Sequence, residues 1–193
     1  MQAAFRAQVR LTAQRLVADL LPAAGSEETP EYDLDLTNAT LEYFDLSDRK
    51  VGTLVLRYAR LHSSNNFSGC VFTGPAWFTG TITAAGRLAG LFRCEDTVFR
   101  ERAWFSGVGF HGRTSFDRTR FLGHARFADS EFEDAVSMAD VTFEDIADFR
   151  SCTFRSDADL LSARWPEEVL HAGVRVESSE RAALPAGWHA DVP

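Results

Sequence analysis

Lysine is almost missing from this chain. Lys50 stands alone against 19 arginines, a skew that reads as codon bias rather than chemistry. Cysteine is also scarce: Cys70, Cys94 and Cys152 form no CxxC pair and leave one over. Neither a disulfide framework nor a cysteine zinc motif is expected, and a reducing cytoplasm is the expected compartment. No apolar run approaches the ~20 residues that cross a bilayer, so no transmembrane segment is expected. The opening stretch "MQAAFRAQVRLTAQRLVADLL" lacks the apolar core and cleavage pattern of a signal peptide. Positive charge is in deficit overall, with a net charge of −8. That balance argues against a general nucleic-acid binder, so no direct nucleic-acid binding is expected.

What is plentiful is phenylalanine, 16 in 193 residues, and its placement is regular. From Phe99 the apolar positions run Phe105, Phe110, Phe116, Phe121, Phe127, Phe132, Met138, Phe143, Phe149, Phe154, Leu160 and Trp165, with steps alternating between six and five. Backward they continue as Cys94, Leu88, Thr83, Phe78, Phe72 and Phe67, with one slip at Thr83–Leu88. Plain steps of five then run through Leu61, Leu56, Val51, Leu46, Leu41 and Leu36. This makes 25 inward positions across residues 36–165. Two residues before most of them stands a small side chain, such as Ala76, Thr97, Ala103, Thr119, Ala125, Ser130 or Cys152. A large and a small residue per step fill a narrow tube without voids. A repeat sustained this far predicts a solenoid in which each coil buries its face only against its neighbours.

"TNATLEYFDLSDRKVGTLVLRYARL" (37–61) resembles the A(D/N)Lxx pattern of the pentapeptide-repeat family, best at Ala39-Thr40-Leu41 and Ala59-Arg60-Leu61. The resemblance implies an all-β fold, a right-handed, four-sided parallel β-helix of about six coils with one pentapeptide per side. Beyond Phe67 the unit is an 11-mer, so a coil should take 22 residues, with alternate corners widened. A period of 22 predicts a ladder of Asp96, Arg118 and Asp140, Arg126 beside Asp148, and Glu133 near Arg155. The expected organisation is a helix at 1–22, a linker at 23–33, the β-helix at 34–166, and a short non-repeat cap at 167–193 with a strand at Val174–Val176 and Trp188 pinning it.

Phe5, Val9, Leu16 and Leu20 share one face of the N-terminal helix, with Arg6, Arg10 and Arg15 elsewhere on it. That face is expected either to cap the open end of the rod or to dock on a partner or an anionic membrane. Docking there or at a rod end would also allow an oligomer.

Motifs of catalysis are missing. Gly107, Gly109 and Gly112 spell GxGxxG, but the phenylalanine register runs straight through them, whereas a dinucleotide site needs a strand before and a helix after. Lys50 has no phosphate loop ahead of it, and the five histidines show no HxxxH or HExxH spacing. No cofactor, no metal and no enzymatic activity are expected.

An acidic belt remains: Asp129, Glu131, Glu133, Asp134, Asp140, Glu144, Asp145 and Asp148, with no lysine or arginine between Ala128 and Phe149. The family resemblance implies a DNA-mimicking rod that binds a type II topoisomerase, DNA gyrase or topoisomerase IV, and changes antibiotic susceptibility. Charge density tempers this implication. A 30 Å stretch of duplex carries roughly 17 negative charges, whereas residues 31–165 hold 20 acids against 15 bases. The expected role is a non-enzymatic protein-binding module, with a scaffolding part held through the helix or a rod end as the alternative.

Overall fold

The computed structural model describes residues 2–27, 30–85, 90–177 and 182–188, with side chains from Gln8 onward apart from Ala85. Short parallel strands stack into four sheets, which form the sides of a solenoid of about six coils. Side I stacks Leu34–Asp35, Leu54–Val55, Ala76–Trp77, Ala103–Trp104, Ala125–Arg126, Ala147–Asp148 and Val169–Leu170. Side II runs from Thr40–Glu42 through Gly109–Phe110 to Arg175–Val176. Side III runs from Asn65–Asn66 through Leu91–Arg93 to Ala182–Ala183, and side IV from Lys50–Val51 to Thr142–Phe143. The chain visits the sides in the order I, II, III, IV, so I lies opposite III.

The expected coil length holds. Ala103 pairs with Ala125 and Ala125 with Ala147, a register of 22, while Leu34 pairs with Leu54 in the first coil, a register of 20. One coil is longer. Asn65 pairs with Phe92 and Ile82 with Gly109, both 27 residues apart. Thr83 therefore lies on side II and the next described strand, Leu91–Arg93, on side III. Leu88, expected as an inward position between them, lies outside the described residues. An insertion of five residues keeps the phase of a five-residue repeat, so the sequence pattern alone cannot tell it from a side.

All core phenylalanines from Phe99 to Phe154 are buried, as are Met138 and Leu160, while Trp165 is half-buried against them. Successive coils stack their rings in parallel. Phe105 lies 4.5 Å from Phe78 and 4.9 Å from Phe127, and Phe121 lies 5.0 Å from Phe99 and from Phe143. These separations match the ~4.8 Å strand spacing, so one geometry satisfies both the backbone ladder and the ring stacks. Where Cys94 is small, Phe92 fills the position two residues earlier, and both are fully buried.

Corners alternate as expected. The five-residue corners between sides I and II carry a left-handed residue at Asn38, Tyr58, Gly80, Gly107, Asp129, Ser151 and Gly173. Those between III and IV do so at Asp48, Gly69, Asp96, Arg118 and Asp140. The small residue after such a corner has a second task. Thr81 Oγ1 donates to Leu56 O (2.5 Å), Thr97 Oγ1 to Phe67 O (2.7 Å) and Ser130 Oγ to Phe105 O (2.5 Å). Cys70 and Cys152 point their thiols at Leu46 O and Phe127 O in the same way. Each satisfies a buried carbonyl of the neighbouring coil that would otherwise be costly.

The helix Gln2–Leu20 covers the first coil, but not with the expected face. Val9, Leu16 and Leu20 point to solvent, Leu20 being 77% exposed, while the side chain of Phe5 lies outside the described residues. Gln14 faces the rod instead. Its amide donates to Glu42 O (2.7 Å) and accepts from Glu42 N (3.1 Å), and Arg10 pairs with Glu42 at 3.0 Å. The end strand of a parallel solenoid needs hydrogen-bond partners more than apolar cover, and one glutamine supplies both a donor and an acceptor. Leu21 then enters the core, and Ala23 bridges Arg49. Part of the expected linker is tied down as well: Gly52 N donates to Tyr32 O, and Thr53 N to the Asp33 carboxylate.

Parallel pairing also runs past Pro166. Val169–Leu170, Arg175–Val176 and Ala182–Ala183 join sides I, II and III. Trp188 packs on Trp165, Phe149 and His171.

Candidate protein-binding surfaces

The acidic belt is a ring rather than a stripe. One coil takes 22 residues, so the stretch from Asp129 to Asp148 nearly encircles the rod. Asp129 sits at the corner between sides I and II, Glu131 and Glu133 on side II, and Asp134 at the next corner. Asp140 follows at the corner between III and IV, Glu144 and Asp145 come from side IV, and Asp148 stands on side I. Half of the eight have basic partners. Glu144 meets Arg120 at 2.9 Å, Glu131 meets Arg155 at 3.6 Å, and Glu133 meets His111 at 3.3 Å. Asp148 meets Arg150 at 2.8 Å and Arg126 at 3.4 Å, the latter contact as the 22-residue register required. Of the expected charge ladder, Asp96 and Arg118 form a bidentate pair at 2.7 Å, whereas Asp140 N bonds Ser162 instead. Arg155 turns to Glu131 and Glu177 rather than to Glu133.

Asp148 is closed off from solvent by its two arginines. Burial pushes its carboxyl upward, but the side-chain and backbone hydrogen bonds of Arg150, with the charges of Arg150 and Arg126, outweigh this and hold it below the usual carboxylate range. The hydrogen bond from Arg118 lowers Asp96 likewise. Burial pushes the Cys70 thiol up to about 12 and raises Cys94 and Cys152 too, so all three stay unreactive thiols. Gly107, Gly109 and Gly112 lie in a corner and strand with no helix after them, which removes the dinucleotide reading. Among the described residues no His, Cys, Asp and Glu cluster could hold a metal ion.

A row that does run along the axis was not visible as a sequence cluster. Side III and its edge carry Asp45, Asp48, Glu95, Asp96, Asp117, Asp140 and Asp159, with Arg93, Arg113 and Arg118 as cations among them. These acids are scattered over more than a hundred residues. Only folding the chain onto the 22- and 27-residue registers brings them to one side.

Stacked parallel strands closing into four sides define the protein as a β-solenoid. Residues 95–142 match the family model described as pentapeptide repeats, in nine copies. Strands stacked in the same way precede and follow that segment. No curated protein and no solved structure matches it. None of the described helices is long and apolar enough to cross a membrane.

Proposed function

We propose that this solenoid is a non-enzymatic, rigid protein-binding module whose partner presents a cationic surface to side III. The observation that carries the proposal is the axial row of acids on that side, set on a scaffold of coil-to-coil hydrogen bonds that needs no rearrangement to bind. In its sharpest form, taken from the family resemblance, the partner is a type II topoisomerase in the cytoplasm and the row stands in for DNA phosphates. The match is partial: a duplex stretch of about 24 Å, the length of six stacked strands, carries roughly 14 charges. The acids named on side III stand among three arginines, so it resembles a short anionic peptide more than a full duplex. A supercoiling assay with DNA gyrase and topoisomerase IV tests this form. The protein should change activity at micromolar concentration, and neutralising Asp45, Glu95 and Asp117 should weaken the effect about tenfold. Unchanged activity ends the topoisomerase form.

A scaffolding role through the helix has its own support in the outward stripe Val9, Leu16 and Leu20, which leaves the capping contacts of Gln14 untouched. Val9→Glu with Leu16→Glu should abolish any helix-mediated assembly while the monomer keeps its melting temperature. Analytical ultracentrifugation of both forms separates the two readings.

A further inference from the structure

Side I, opposite the acidic row, has a different chemistry. Its outward ladder places Trp77 directly over Trp104, paired strand to strand, with the indole rings 4.4 Å apart and edge to face. The Arg57 guanidinium lies 4.4 Å over the Trp77 ring, and that of Arg102 lies 5.9 Å from the Trp104 ring. Tyr58 is exposed at the adjoining corner. Trp104 forms a wall between two surface hollows. One, of about 360 Å³, is lined by Arg57, Tyr58, Thr79, Trp104, Ser106 and Arg126. The other, of about 430 Å³, is reached past Arg102 and His124.

Arg126 is matched by Asp148, and Arg57 is attracted to Asp35 from further off, but among the described residues neither Arg57 nor Arg102 has a carboxylate within ion-pair distance. Trp104 Nε1 and Ser106 Oγ are buried without a hydrogen-bond partner among the described residues. Tryptophan, tyrosine and arginine are the residues most enriched at binding hot spots, because each covers a large area and offers a donor. Here Trp77 and Trp104 are half-buried and Tyr58 is exposed. Aromatic rings beside arginines also suit single-stranded nucleic acid. A strand charged at every step is disfavoured by Glu101, Asp145 and Asp129 around the patch, whereas a segment with isolated carboxylates can place them on Arg57 and Arg102 alone.

We propose that the Arg57–Trp77–Trp104–Arg102 ladder is a second docking surface, one that binds an acidic, apolar-containing segment of a partner protein. Carboxylates of the segment pair with Arg57 and Arg102, and an apolar side chain enters the hollow beside Tyr58. The surface lies on the opposite side from the acidic row, so the rod would join two partners of opposite charge.

The test titrates the full chain with a short peptide alternating glutamate and leucine, read by tryptophan emission. Its controls are a lysine–leucine peptide and a single-stranded oligonucleotide. The acidic peptide should bind saturably and the controls should not. Reversal of both charges, Arg57→Glu with Arg102→Glu, should weaken binding at least about tenfold with an unchanged circular dichroism spectrum. The proposal is overturned by no saturable binding, by equal binding of either control, or by a double variant that binds as the native chain does. Concentration-dependent dimerisation lost in the double variant would also overturn it, assigning the face to a second copy of this chain. The double variant leaves side III intact, so the supercoiling result stands or falls separately.

Discussion

The first coil and the later ones solve the same packing problem with different side chains. Leu36, Leu41, Leu46 and Val51 line a coil of 20 residues with Phe44 beside them, and the first six-residue step arrives at Phe67. Coils lined by phenylalanine on most sides take 22. A ring needs a wider tube than an isobutyl group, and an extra residue at alternate corners supplies the width without breaking the strand ladder. The surfaces differ as well. Early ion pairs tie the rod to the segment before it, as Arg10–Glu42 and Lys50–Glu31 do. Later ones tie coil to coil, as Asp96–Arg118 and Arg126–Asp148 do.

The largest effect that could break this comparison is in the core. Phe105→Ala should cost about 3–5 kcal/mol, because it removes a ring stacked on both Phe78 and Phe127. Leu56→Ala, on the same side of an early coil, should cost less, nearer 2–3 kcal/mol. Urea denaturation measures both, and equal losses would show that ring stacking adds nothing to burial.

A middle-sized effect separates the corners. A Cβ on Gly112 would sit 2.1 Å from Gly90 O, so Gly112→Ala should cost about 1–3 kcal/mol by forcing coils apart at a wide corner. Gly107, at a tight corner, has open space around it but a φ of +63°. Its change to alanine should cost only the left-handed strain, about 1 kcal/mol.

The smallest effect concerns the coil-to-coil ions. Asp96 and Asp148 have lowered folded-state pKa values. Their contribution is present above the unfolded value near 3.9 and is lost as pH falls through the folded value. The melting temperature should therefore fall as the solution is acidified below about pH 4. Asp148→Asn should lower stability at pH 7 and flatten that fall.

Much of this was determined by the sequence alone. The solenoid, the inward residues, the 22-residue coil and the Asp96–Arg118 and Arg126–Asp148 contacts all follow from a period of five and six, because a regular repeat specifies its neighbours at a fixed offset. Tertiary structure decided the rest. Which helix face meets the rod turned on Gln14 matching an open strand edge, a directional demand that apolar periodicity does not record. That one coil takes 27 residues and not 22 was decided by strand pairing, because five extra residues leave the phase of the repeat unchanged. Charges adjacent in sequence spread into a ring, whereas charges and indoles a coil apart gathered on sides III and I, because in a solenoid proximity along the chain runs around the axis and only strand pairing runs along it.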